Sequence, residues 1–360
     1  MLRSSCVEMR GVVVVEDPAG SGSLPNHCSI PALEHVANRP IVHHVLNVLR
    51  EAAVQEVVVV SAASVAGKVR DCLARFEQPD GPRIQHVEQP GPLGVGAALT
   101  AAAPIVGRAP CIVHLASGLL GESLAPCLER LRRNAPDAVL FVHQAADPDE
   151  RMSSATQAML HVAELDPDRA ALGMPGVWLF GPHALNRISA GRHLGEAVEP
   201  TVISKLIGAG GGTLHVRPVR TWRRYAGDST DLLELNRIVL DRLEGDLRHA
   251  SNRGNQIEGR VCIDKRASVR ASVIVGPVVI GPEARVSDAY IGPYTAIGAG
   301  ARVEGVEVER SIISAGASIM HVGGRLMTSV VGKNARIFRD FSLPRALRLQ
   351  VGEGNEVALS

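Results

Sequence analysis

The chain has 360 residues, of which 46% are hydrophobic and 21% charged, a composition typical of a soluble globular protein with two domains. Its 38 basic and 37 acidic residues leave a net charge of +1, so no overall field favours nucleic acid or an acidic membrane surface. Aromatic residues make up only 3%, which argues against a stacking platform for single-stranded nucleic acid. Nucleic-acid binding is therefore not expected.

Nothing in the sequence indicates a membrane or an export route. The longest aliphatic runs, residues 12–15 and 57–60, are far shorter than the roughly 20 residues that cross a bilayer. No positively charged and then apolar leader opens the chain. We therefore expect a cytoplasmic protein with no membrane partner.

The first 250 residues alternate apolar runs with helix-like stretches, the pattern of an α/β domain built on a mostly parallel sheet. Residues 41–53 and 230–248 carry apolar side chains on one helical face. The predicted strands are residues 11–15, 56–61, 83–88, 111–115, 138–143 and 176–180. We predict a Rossmann-like domain over residues 1–250, because the segment after it is polar and contains glycine.

A repeat of 16 to 18 residues follows this boundary. Each repeat has an aliphatic residue, two or three small or polar residues, an alanine and a second aliphatic residue. Aliphatic residues also recur between the repeats at steps of five or six, which is typical of a triangular parallel β-helix. The repeats begin at Ile263, Ile280, Ile297, Ile313 and Val331. We predict a β-helix of hexapeptide-like repeats over residues 255–340 and a tail strand over residues 341–360.

The loop after the first predicted strand, residues 16–27, is where α/β proteins usually hold phosphate. The backbone N–H groups that an anion would meet here belong to Gly20, Ser21 and Gly22. Glu16 and Asp17 argue against this use, because two unit charges 4 Å apart at an effective dielectric of 20 repel by about 4 kcal/mol. No lysine or arginine occurs between residues 11 and 34 to offset them.

Several segments are similar to one family, in the same order along the chain. They are residues 35–62, 88–98 (EQPGPLGVGAA), 176–182 (GVWLFGP), 194–206, 231–241 and 276–313. On these segments the chain resembles long-form sugar-1-phosphate nucleotidyltransferases, closest to glucose-1-phosphate thymidylyltransferases of actinobacterial type. The resemblance implies a nucleotidyltransferase-like α/β domain followed by a left-handed β-helix. It also implies a Mg²⁺-dependent attack of a sugar 1-phosphate on a nucleoside triphosphate, with release of pyrophosphate.

Four charged positions of the family are missing. The family loop GGxGTRL reads GSGSLP here, so its arginine is absent, and the lysine position that follows falls at Ile30 or Pro31. The metal-binding aspartates of the family segments LGDN and WKDTG correspond to Ser117 in LASG and Tyr225 in WRRYAG. Because metal ions and phosphate-binding cations supply most of phosphoryl-transfer catalysis, the loss of all four should abolish turnover. We therefore expect no catalytic residues, no metal site and no cofactor.

Other parts of the family's site are retained. The resemblance assigns nucleobase contacts to Gln89, Pro90, Gly91 and Gly94, and sugar contacts to Gly195 and Glu196. A glutamine amide is able to pair with a pyrimidine edge. The alternatives are a strand-to-helix turn kept for folding and an exposed carboxylate that leads a helix.

We favour a catalytically impaired homologue that binds a nucleotide or nucleotide sugar and acts as a regulatory or assembly subunit. The alternative is an active enzyme, making a dTDP-sugar, whose rearranged Mg²⁺ site uses Asp166, Asp168 or Asp228. A third hypothesis is a β-helix acyltransferase, for which His321 is the only candidate catalytic histidine. We also expect a homo-oligomer, or a hetero-oligomer with an active homologue. The apolar positions expected to be exposed for it are Val273, Val278, Tyr290 and Tyr294.

Overall fold

The computed structural model describes residues 8–16, 30–76, 80–89, 95–134, 137–144, 172–173, 175–182, 213–245 and 254–339. The chain divides into two compact units. Unit 1 comprises Met1–Gly22, Ser29–Glu34 and Pro40–Tyr225, and unit 2 comprises Ser23–Cys28, His35–Arg39 and Ala226–Ser360. The limits 1–250, 255–340 and 341–360 stay predictions, because residues 246–253 and 340–360 lie outside the described residues.

An α/β sheet forms the body of unit 1. The strands up to residue 225 are β1 (Arg10–Val15), β2 (His35–Val36), β3 (Arg39–Pro40), β4 (Glu56–Ala62), β5 (Arg83–Gln89), β6 (Cys111–Leu115), β7 (Gly118–Leu120), β8 (Ala138–Gln144), β9 (Leu172–Gly173), β10 (Val177–Phe180), β11 (Leu214–Pro218) and β12 (Trp222–Arg224). The α-helices among the described residues of this part are α1 (Ile41–Glu51), α2 (Ala66–Leu73), α3 (Val95–Val106) and α4 (Ala125–Asn134). All six strands predicted from the sequence are present.

The large sheet has the order β11-β8-β10-β6-β1-β4-β5, with β9 paired to β8. Its pairings are parallel except for β10, which runs antiparallel to β6 and β8, and β9, which runs antiparallel to β8. The central strands are buried almost completely, as their near-continuous valine runs predict. Each fully buried valine contributes roughly 1.5–3 kcal/mol of hydrophobic stabilisation. This rigid centre fixes the ends of β1 and β6, where the candidate site lies.

Fifteen short strands of unit 2 form three stacked parallel sheets. They are β13 (Gln256–Glu258), β14 (Val261–Ile263), β15 (Ser268–Arg270), β16 (Val273–Val275), β17 (Val278–Ile280), β18 (Arg285–Ser287), β19 (Tyr290–Ile291), β20 (Thr295–Ile297), β21 (Arg302–Glu304), β22 (Glu307–Glu309), β23 (Ile312–Ile313), β24 (Ser318–Met320), β25 (Arg325–Met327), β26 (Val330–Val331) and β27 (Arg336–Phe338). Each strand pairs with the strand three places further along the chain, for example β13 with β16. Each of the three sheets therefore supplies one side of the triangular coils. The fold class predicted from the sequence is confirmed, and the stacked sheets are consistent with the left-handed β-helix of the resemblance.

The repeat residues stack in register. Ile263 lies beside Ile280, Ile280 beside Ile297 and Ile297 beside Ile313, and the column continues to Val331. These side chains are buried in one apolar core. The 17-residue period therefore arises because each coil must return one aliphatic residue to the same place in that core.

A fifth helix, α5 (Ser229–Asp241), belongs to unit 2. The helix ends at Asp241, so the helix predicted over residues 230–248 was too long. Beyond the helix the chain passes close to the first coil, where a Cβ on Gly245 would lie 3.1 Å from the Arg260 Cα. The Asn236 side chain donates to the Tyr294 carbonyl at 2.9 Å, and the Tyr294 hydroxyl donates to Asp241 at 3.0 Å. These bonds tie α5 to the β-helix. No helix in the described part of the chain is long and apolar enough to span a membrane.

Candidate functional site

The candidate site lies at one edge of the large sheet. Strands β6, β1, β4 and β5 are adjacent and parallel, so their carboxyl ends meet at this edge. Glu16 directly follows β1, Gln89 ends β5 and Ser117 is the second residue after β6. Ligands of open α/β sheets bind at such an edge, which makes it the expected place for a nucleotide.

Ser117 and Tyr225 lie side by side. The Tyr225 backbone N–H donates to the Ser117 carbonyl at 2.8 Å, and both residues are buried. Strands β7 and β12 pair antiparallel and bring Gly118 opposite Arg224. A Cβ on Gly118 would lie 2.6 Å from the Trp222 ring, so only glycine fits this close approach. The two positions that correspond to the family's aspartates are therefore neighbours in space.

Glu16 joins these residues in a polar cluster. The Ser117 hydroxyl donates to one oxygen of Glu16, and Arg224 Nη2 lies 2.8 Å from the other. The Glu16 side chain is 22% exposed and the Arg224 side chain 38%. Residues 11–34 contain no lysine or arginine, as their sequence shows, but Arg224 of β12, far away in sequence, offsets the charge of Glu16. Asp17 lies outside the described residues.

Two of the Arg224 donors shape what the cluster is able to bind. Nη2 is held by Glu16, whereas Nε is buried and has no hydrogen-bond partner among the described residues. A guanidinium presents five N–H donors in a fixed plane and is suited to phosphate and carboxylate oxygens. With more than a third of its side chain exposed, Arg224 still has N–H groups to offer an anion.

A buried histidine lies three residues before Ser117. His114 Nδ1 donates to the Leu115 carbonyl at 2.7 Å, and its ring packs 5.9 Å from the Trp222 ring. Burial lowers the pKa of His114 to about 4, against the opposing effect of that hydrogen bond. The imidazole is therefore neutral at physiological pH, and it adds no positive charge to the cluster.

Gln89 is the one predicted nucleobase contact that lies within the described residues. It ends β5 and pairs with Ala62 in β4. Its Oε1 is buried without a hydrogen-bond partner among the described residues. Two strand spacings separate β5 from β1, which places the Gln89 and Glu16 backbones about 10 Å apart. A buried acceptor with no partner is costly, which supports a ligand N–H as its missing donor.

The other predicted contacts lie outside the described residues. They are Gly20, Ser21, Gly22, Pro90, Gly91, Gly94, Gly195 and Glu196. Ile30 and Pro31, which stand near the family's lysine position, are both buried. Of the carboxylates considered for a rearranged metal site, Asp228 is the N-cap of α5 and accepts the Thr230 N–H at 2.8 Å. Asp166 and Asp168 are outside the described residues.

Comparisons with known proteins bear on this site. No protein-family model matches the chain. The chain is 28% identical to glucose-1-phosphate thymidylyltransferases of Streptomyces griseus and Streptomyces antibioticus, over 93% and 92% of its length and 95% and 94% of theirs. It is 27% identical to a low-salt glycan biosynthesis nucleotidyltransferase of Haloferax volcanii, over 98% of this chain and all of the relative.

Along nearly its whole length the chain is similar to sugar-1-phosphate nucleotidyltransferases. A crystal structure of a Bacillus anthracis protein assigned as a glucose-1-phosphate thymidylyltransferase, in complex with sucrose, matches with a TM-score of 0.54. The two sequences are 18% identical, and the match covers 66% of this chain and 98% of the other. At this identity the likeness shows the fold alone.

The Mg²⁺ that a nucleotidyltransferase-like protein implies does not fit the residues present. Mg²⁺ is held by carboxylates and phosphates in an octahedral shell of oxygens. Here the family's two aspartate positions carry Ser117 and Tyr225, and Glu16, the carboxylate that Ser117 contacts, is already paired with Arg224. A guanidinium on that carboxylate repels a divalent cation.

Arg224 is the functional residue that sequence reasoning missed. Its position in WRRYAG matches the lysine of the family's WKDTG, directly before the lost aspartate, and this correspondence was available in the sequence. Its pairing with Glu16, however, joins residues 208 positions apart. No local spacing predicts such a pair.

Proposed function

We propose that this protein binds a nucleotide or nucleotide sugar, has lost nucleotidyl transfer, and acts as a binding, regulatory or assembly subunit. One observation carries the proposal. The hydroxyl of Ser117, which stands at a metal-binding position of the family, donates to Glu16, and Glu16 is ion-paired with Arg224. Ser117 and Glu16 are therefore engaged with each other, and Glu16 also with Arg224.

The chemistry of the reaction explains why this arrangement argues against turnover. Attack of a sugar phosphate on a nucleoside triphosphate brings two anions together and expels a third, so catalysis depends on positioning and on neutralising charge. In the family, the metal ion held by the two aspartates supplies positive charge, and the loop arginine and lysine add to it. Arg224 is one cation, and Glu16 cancels its charge in part. One half-neutralised cation supplies too little positive charge to catalyse the transfer in place of a metal ion and two basic residues.

Recognition of the base is a separate question from turnover. Gln89 Oε1 has no partner among the described residues and lies at the edge where a base is expected. In a thymine, N3–H would donate to this oxygen, and a ring carbonyl would accept from the Gln89 amide nitrogen. Such a pair is compatible with thymine, and the similarity to thymidylyltransferases makes a thymidine nucleotide the proposed ligand.

Calorimetry with dTDP-glucose and the full-length protein tests the binding. We expect the wild type to bind it and Gln89→Leu to weaken binding by about tenfold or more, since a buried hydrogen-bonding group would lose its partner. Gln85→Leu is the matched control, because Gln85 is exposed on the same strand. Absence of binding by the wild type, or equal losses in both variants, would contradict the proposed recognition.

A further inference from the structure

The position beside the lost metal ligands is occupied by a cation that belongs to the chain itself. Arg224 is opposite Gly118 in the β7–β12 pair and directly precedes Tyr225. It therefore neighbours both family metal positions, Ser117 and Tyr225. Its guanidinium meets the Glu16 carboxylate at 2.8 Å, a distance typical of a charge-assisted hydrogen bond.

The charges within the cluster balance. Glu16 contributes one negative charge and Arg224 one positive charge, while Ser117 and the buried, neutral His114 contribute none. A divalent cation would need a surplus of negative charge here and finds none. A phosphate, by contrast, would meet the exposed part of a guanidinium whose orientation is fixed from behind by Glu16.

We infer that Arg224 replaces the divalent cation as the positive charge that faces the phosphates of the ligand, so that the site takes a nucleotide diphosphate sugar without metal. Glu16 is then a positioning residue that holds Arg224 through one nitrogen and leaves the others for phosphate oxygens. The Nε–H of Arg224 has no partner among the described residues, so the guanidinium is not saturated by its contacts within the chain. This inference rests on the proposed function for its ligand, but its statement about metal stands independently.

Titration of the full-length protein with Mn²⁺, followed by the electron paramagnetic resonance of the free ion, tests the metal part directly. We expect no stoichiometric binding by the wild type. The double variant Ser117→Asp/Arg224→Gln removes the guanidinium and places a second carboxylate beside Glu16, and we expect it to bind one Mn²⁺ per chain.

Ser117→Asp/Arg223→Gln is the matched control. It adds the same carboxylate and removes the neighbouring arginine of β12, but it keeps Arg224, so we expect no binding. Circular dichroism and the melting temperature establish that each variant is folded. Arg224→Lys is included as a variant that keeps the positive charge but changes the side chain that carries it. Stoichiometric Mn²⁺ binding by the wild type that is lost in Glu16→Gln would overturn the inference. A folded Ser117→Asp/Arg224→Gln protein that binds no Mn²⁺ would overturn it as well.

Calorimetry with dTDP-glucose, in EDTA and then in Mg²⁺, tests the phosphate part. We expect equal affinities in the two buffers, and a loss of about tenfold or more in Arg224→Gln, the size expected for a charge-assisted hydrogen bond. Arg224→Lys should recover part of that loss, whereas Arg223→Gln should bind like the wild type. Affinity that rises with Mg²⁺ by about tenfold or more would overturn the inference. If dTDP-glucose binds in neither buffer, the proposed function fails, and the Mn²⁺ titrations still decide whether Arg224 excludes the metal.

Discussion

At the scale of single residues, His114 has the most strongly shifted environment near the site. It is fully buried, its pKa is lowered by that burial to about 4, and Nε2 has no partner among the described residues. An unfolded chain would protonate this histidine near pH 6.5. Between pH 6.5 and about 4 the unfolded state therefore binds a proton that the folded state does not, and the free energy of unfolding falls as the pH falls.

Replacing His114 by phenylalanine should flatten that dependence. The variant keeps a ring beside Trp222 but removes the titrating group. Its free energy of unfolding should therefore fall less on acidification than that of the wild type, by at most about 3 kcal/mol over this range. Urea unfolding at a series of pH values measures the difference. Burial also lowers the pKa of His86 and His143, so a residual slope is expected. His321→Gln, at an exposed position, is the control, and parallel curves for wild type and His114→Phe would contradict the account.

Sequence reasoning reached some of the site residues and not others, for a physical reason. Ser117 and Tyr225 were found because each follows or precedes a recognisable segment, and the structure places them in contact. The Glu16–Arg224 pair was not found, because a long-range ion pair leaves no periodic mark in a sequence. The sequence-based estimate of repulsion in the first loop was therefore incomplete.

At the scale of elements, the β-helix was the most predictable part of the fold. Ile280 and Ile297 repeat at 17 residues because each coil has the same circumference, so a simple count locates the core. The end of α5 was less predictable, because its leucines continue past Asp241 while the chain turns away toward the first coil. Local propensity does not record such a tertiary approach.

Two glycines at one corner of the coil allow a matched test of this stacking. A Cβ on Gly298 would lie 2.6 Å from the Ala315 backbone nitrogen in the next coil, whereas a Cβ on Gly332 meets no described atom within 4 Å. We expect Gly298→Ala to lower the free energy of unfolding by about 1–3 kcal/mol, the usual cost of overpacking. Gly332→Ala should change it by less than about 0.5 kcal/mol. Chemical denaturation measures both, and equal effects would contradict the stacking.

At the scale of the whole molecule, the surface that would support an assembly differs from the one expected from the sequence. Val278 is fully buried and offers no apolar surface, and the Tyr294 hydroxyl donates to Asp241 in its own unit. Tyr290 is covered by the Arg325 guanidinium at 5.1 Å. Among the described residues the exposed large apolar side chains are Met327 and Phe338, 50% and 53% exposed, in the last two coils.

We predict that this end of the β-helix contacts a second copy of the chain or an active homologue, because exposed large apolar side chains are stabilised by burial against a partner. Light scattering should give a mass above 38.1 kDa for the wild type. Met327→Glu/Phe338→Glu should reduce the mass to that of a monomer, whereas Arg285→Gln, at an exposed position on a middle coil, should not. A wild type that is monomeric at micromolar concentration, with no partner recovered by pull-down, would leave the assembly role without support.

The loss of nucleotidyl transfer is the central claim, and release of pyrophosphate measures it most directly. The full-length protein is mixed with thymidine triphosphate, glucose 1-phosphate and Mg²⁺, and then with the other nucleoside triphosphates and a panel of sugar 1-phosphates. An intact thymidylyltransferase is run in parallel to show that the assay works. We predict no pyrophosphate above the protein-free control, either from the wild type or from Ser117→Asp, since one carboxylate beside an unaltered Arg224 does not assemble a metal site. Mg²⁺-dependent release by the wild type, well above that control, would contradict the account.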